Sequence, residues 1–102
     1  MTAFVARLVV KPEKRGEFER LQTELRLLTH AHEPETPVYE LIQSREDENT
    51  YLCIATFTSQ DAFDLHMGTD FHDRLAPAIL DCLAEDMDLG FYNIIGEAKR
   101  QP

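Results

Sequence analysis

Positive charge is scarce in this chain: ten lysines and arginines stand against nineteen aspartates and glutamates, a formal net charge of −9 over 102 residues. Affinity for nucleic acid or anionic membrane comes mainly from clustered Lys and Arg, and the basic residues here are scattered, so neither is expected as a partner. Cysteine is sparse too. Cys53 and Cys82 show neither metal-ligand spacing nor a disulfide framework and read as small apolar core residues, so no metal site is expected. No stretch approaches the roughly twenty apolar residues of a membrane span, and no basic region leads into a long apolar run. The expectation is a cytoplasmic protein. Linkers, low-complexity tracts and short repeats are missing as well, which leaves a single domain over residues 1–102.

What is present is ordinary for a globular chain, with 43% hydrophobic and 28% charged residues. A domain of this size leaves much of its apolar surface uncovered, and a second subunit is a simple way to cover it, so a two-fold homodimer is expected.

Residues 4–10 are apolar and rich in β-branched side chains, interrupted by Arg7, and read as a strand. Lys11-Pro12-Glu13 turns the chain. From 14 to about 31, Phe18, Leu21, Leu25 and Leu28 recur at three- and four-residue steps, the seam of an amphipathic helix. Pro34 disfavours helical geometry at Glu33, and neither Pro34 nor Pro37 can donate a backbone hydrogen bond, so the helix ends there. Residues 38–43 and 51–57 form an expected antiparallel hairpin across a polar loop. A helix over 61–67 follows, with Ser59 as its N-cap and Gly68 ending it in left-handed geometry, and Thr69 caps the next. That next helix runs from 70 towards 84, kinked or restarted by Pro77, and a strand over 89–95 closes the chain. The order β-α-β-β-α-(α)-β is that of a split βαβ unit: an α+β, ferredoxin-like protomer in which helices cover one face of a four-stranded antiparallel sheet. Two such sheets packed face to face bury the other side and leave each pocket between sheet and helices.

The stretch Asp61-Ala62-Phe63-Asp64-Leu65-His66-Met67-Gly68-Thr69-Asp70-Phe71-His72 carries a family resemblance, being similar to "Ala, several residues, His, two residues, Thr or Ser, then His or Phe". Tyr39 and the Val9-Val10-Lys11-Pro12 end of the first strand add to it. With these motifs the chain resembles the antibiotic biosynthesis monooxygenase (ABM) domain proteins, small dimeric α+β barrels with a ferredoxin-like protomer. The chain departs from the family pattern at Ala55 and Phe57, where Glu and then Trp or Tyr are common, and at Thr36-Pro37, which replaces Gly-Cys. Its second histidine, His72, falls one place late. The resemblance implies a monooxygenase acting on a small aromatic or quinol-type compound with no cofactor: a base generates an electron-rich anion that reduces dioxygen without metal or flavin.

His66 is the candidate base, because an imidazole titrates near neutral pH. The competing reading has its ring bonded to a main-chain carbonyl at the helix end. Tyr39, Phe57, Phe63 and Phe71 are the candidate substrate-binding residues, lining a slot for a flat ring, with plain core packing as the alternative. His72 lies across a helix break from His66 and reads as solvated. His30 and His32 beside Glu33 point in different directions on a helix and read as a surface helix end. Two rival functions stay open: a ligand-binding module that keeps fold and pocket without chemistry, and haem degradation, which in related barrels uses a tryptophan that this chain lacks.

Overall fold

A computed structural model describes residues 1–96. Its elements are β1 (Thr2–Val9), a 3-10 turn (Pro12–Lys14), α1 (Arg15–His32), β2 (Val38–Gln43), β3 (Thr50–Phe57), α2 (Gln60–Met67), α3 (Asp70–Leu80) and β4 (Asp88–Asn93). The strands pair antiparallel in the order β2-β3-β1-β4, the ferredoxin-like arrangement, with the helices on one face.

Alternation of side chains along the strands separates the faces. Phe4, Ala6 and Leu8 of β1, with Tyr51, Cys53, Ala55 and Phe57 of β3, point towards the helices and are buried. Helix α1 meets them with Phe18, Leu21, Gln22, Leu25 and Thr29. Its seam therefore carries two polar members among the leucines. Pro12 opens the 3-10 turn that leads into α1, where its fixed φ and missing N–H cost nothing. At the other end Glu33 leaves helical geometry at φ −125°, ψ 81°, directly before Pro34.

The caps expected at 59 and 69 are both made: Ser59 Oγ accepts from Ala62 N at 3.1 Å, and Thr69 Oγ1 accepts from His72 N at 3.3 Å. Gly68 corrects one expectation. Its backbone lies at φ −101°, ψ 3°, not in the left-handed region, because its N–H still bonds back to Asp64 and Leu65 carbonyls and the chain passes directly into the next cap. Pro77 sits inside α3 without ending it, and the helix stops at Leu80 rather than near 84. The following residues are instead tied to the end of β1, through Lys11 N to Cys82 O at 2.9 Å and Ala84 N to Val9 O at 2.7 Å. The last strand ends at Asn93, two residues short of the expected 95, and Ile95 is exposed.

The face of the sheet away from the helices carries Val5, Leu52, Ile54, Val38, Ile42 and Tyr92, as the strand register places them together. Val38, Ile42 and Tyr92 are exposed. No helix among the described residues is long and apolar enough to cross a membrane.

Candidate functional site

A cavity of about 190 Å³ lies between the helix-facing side of the sheet and the three α-helices. Phe4, Ala6 and Leu8 floor it from β1, Tyr39 from β2 and Cys53 from β3. Gln22 and Leu25 of α1, Phe63 and His66 of α2, and His72, Ala76 and Ile79 of α3 make the opposite wall. Met67, Leu80, Met87 and Leu89 also line it and are themselves solvent-exposed, so the mouth is apolar.

His66 is positioned by α2, which Ser59 starts and the Thr69 hydroxyl closes by donating to the His66 carbonyl at 3.0 Å. The ring is 1% exposed, and its Nδ1 lies 3.0 and 3.1 Å from the two carboxylate oxygens of Glu33, itself only 3% exposed. A carboxylate accepts, so Nδ1 donates; in the neutral ring Nε2 then carries the lone pair, and it has no hydrogen-bond partner among the described residues. The main-chain acceptor considered for this ring is thus replaced by a side-chain carboxylate 33 residues away. Neighbouring rings cage the imidazole: Tyr39 at 5.4 Å, Phe57 at 5.5 Å and His72 at 4.9 Å between centroids.

His72 is a second correction. It lines the cavity beside His66 instead of pointing to solvent, because only two residues separate the end of α2 from the start of α3, whose first turn brings the two rings to 4.9 Å between centroids. Burial, and then the neighbouring His66, hold its pKa below the ordinary 6.5, which favours the neutral ring.

The aromatic candidates divide. Tyr39 and Phe63 line the cavity. Phe57 is fully buried behind them, packed on Phe4, Phe63 and the His66 ring. Phe71 packs against His32 at 6.0 Å, away from the cavity wall. Burial, with Cys53 and Glu33 alongside, drives the Tyr39 phenol far above its usual range, and burial pushes the Cys53 thiol up to about 11. Both keep their protons at neutral pH, so they serve as weak donors and not as nucleophiles or bases.

Two polar residues of the site carry weak sequence signals. Glu33 stands out only as an acid before a helix-ending proline. Gln22 is marked by its spacing, four residues after Phe18 and three before Leu25, on a stripe otherwise filled by apolar residues. Among the described residues no three His, Cys, Asp or Glu side chains gather as metal ligands.

The family model for antibiotic biosynthesis monooxygenase matches residues 1–77. The chain belongs to the ABM family. A Caulobacter crescentus CB15 protein described as a candidate antibiotic biosynthesis monooxygenase is 30% identical, with 92% of this chain and 89% of that one covered at a TM-score of 0.88. A conserved protein from Methanosarcina mazei Go1 is 24% identical over 90% of each chain, at a TM-score of 0.84. SnoaB, a cofactor-independent oxygenase from Streptomyces nogalater solved as a point mutant, is 23% identical over 92% of each chain, at a TM-score of 0.81. These last two share the fold. No curated protein matches the chain.

Proposed function

We propose that this ABM protein is a cofactor-independent monooxygenase for a small aromatic or quinol-type compound and works as a homodimer. The observation that carries the reading is the buried Glu33–His66 pair in the wall of an apolar cavity. Glu33 fixes the tautomer and the ring plane, so the Nε2 lone pair can take a proton from an acidic ring hydroxyl. The resulting anion is electron-rich and gives an electron to dioxygen. Recombination then forms a carbon–oxygen bond, and loss of water leaves one oxygen atom in the substrate. All the electrons come from the substrate, as a quinol or activated ring carbon can supply them. The apolar lining supports this chemistry by excluding water from the reactive anion.

The open sheet face supports the homodimer, since Val38, Ile42 and Tyr92 on it are exposed and no helix among the described residues covers it. Ala55 and Phe57, both fully buried where the family often has Glu and a polar aromatic, favour a second reading, binding without chemistry. Oxygen uptake separates the two. With a panel of phenols and quinols, and no added flavin or metal, wild type is expected to consume dioxygen. His66→Ala is expected to lose on the order of 10²–10⁴-fold in rate, and Glu33→Gln to fall in the same direction. Equal rates in wild type and His66→Ala would remove the base, and no uptake with any tightly bound ligand would leave the binding module.

A further inference from the structure

Of the two imidazoles in the cavity wall, the proton abstraction uses only one. His72 stands beside His66, with ring centroids 4.9 Å apart and planes at 69°, and lines the same cavity. Successive residues of an α-helix point about 100° apart, so a histidine at 72 meets the cavity while Phe71, one place earlier, packs on His32. The backbone N–H of His72 bonds the Thr69 cap. Neither of its ring nitrogens has a hydrogen-bond partner among the described residues, and neither is sealed off from a water-sized molecule. His66 differs, because Glu33 already holds its Nδ1.

Moving a proton from a ligand hydroxyl to His66 Nε2 leaves negative charge on the ligand oxygen, inside a lining that holds no Lys or Arg. Such charge is stabilised best by a donor already in place. Tyr39 and Cys53 keep their protons, but they interact with each other on the sheet side of the cavity. His72 has no such partner. Burial and the neighbouring His66 favour its neutral ring, which has one N–H to donate and no charge to repel the imidazolium forming on His66. The titratable groups around it are His66 with Glu33 behind, Asp73 next along α3, and Tyr39 and Cys53 across the cavity. Asp73 favours a second proton on the ring, and burial outweighs it. We infer that His72 is a second catalytic residue, whose ring N–H donates to the ligand hydroxyl oxygen and stabilises the oxyanion formed as His66 takes the proton. Two rings this close serve one oxygen, not the opposite ends of a ligand. The inference rests on the same cavity and the same base as the proposed function, but not on any reaction with oxygen.

The test is a pH titration of 4-nitrophenol bound to the full chain without oxygen, since the absorbance of this probe reports its own ionisation. The midpoint for the bound probe is expected to rise by about one pH unit in His72→Phe, a ten-fold loss of ionisation. His72→Gln keeps an N–H and is expected to move the midpoint less than half as far. The wild-type protein gives a separate readout should a variant misfold: in a ¹H–¹⁵N spectrum of the histidine rings, 4-nitrophenol is expected to shift the His72 nitrogens more than nitrobenzene, which has no hydroxyl. Equal midpoints in wild type and folded His72→Phe, equal displacements in the Phe and Gln variants, or equal shifts from the two probes overturns the donor role. A cavity that binds neither probe overturns it together with the functional reading. The expected midpoints without oxygen uptake in air would uphold the inference while the monooxygenase reading fails.

Discussion

At the scale of single residues, the candidate site depends on contacts between positions far apart in the chain. His66 is legible from sequence as a histidine in a helix before a break, and the structure keeps it at the cavity wall. Its partner is not legible, because Glu33 reaches it only when the end of α1 is laid beside α2. The same holds for His72, whose direction depends on how the 68–69 junction turns and not on its six-residue spacing from His66. His72 also makes a testable prediction about pH. Its folded-state pKa is depressed, chiefly by burial, so the unfolded chain binds its proton more readily. The stability this group contributes is therefore complete above the ordinary 6.5 and declines as pH falls from there through the lower folded value. Urea titrations across that range should show wild type weakening towards acid and His72→Gln keeping a flatter profile. A slope unchanged by the substitution would assign the effect elsewhere.

At the scale of elements, local chemistry predicts more than packing does. Strand β2 is read at 38–43 and found at Val38–Gln43, since prolines bound it on one side and a polar loop on the other. The caps at Ser59 and Thr69 follow from the need of free first-turn amides for an acceptor. Ser59→Ala is expected to cost about 1 kcal/mol in a denaturant melt, while Ser59→Asp should nearly restore wild-type behaviour. The errors fall where an element competes with a neighbour. Helix α3 gives up residues beyond Leu80 because backbone groups at 82 and 84 bond to the end of β1. Gly68 stays out of left-handed geometry because the Thr69 cap follows at once. The periodicity of α1 is clear from Phe18, Leu21 and Leu25, and the same three- and four-residue steps put the polar Gln22 on their buried face, where composition alone would leave it in solvent.

At the scale of the whole molecule, element order leads to the ferredoxin-like topology, and the register shows which side chains gather on the uncovered face of the sheet. Ile54 lies on the third strand and faces Val5 across the β1 pairing, well inside that face. Ile54→Lys is expected to convert the proposed dimer into monomers in analytical ultracentrifugation, with the fold retained by circular dichroism. Burying a cation in the middle of that face costs more than its cross-strand neighbour Glu40, already paired with Arg26, can return. A wild type that sediments as a single chain at micromolar concentrations would instead show that this face needs no cover.

The half-open sheet also links the protein's robustness to its abundance. If a second copy supplies the missing cover, heat resistance is not a constant of the sequence but climbs as the solution is made more concentrated. A cell making few copies would hold a less heat-resistant molecule than one making many.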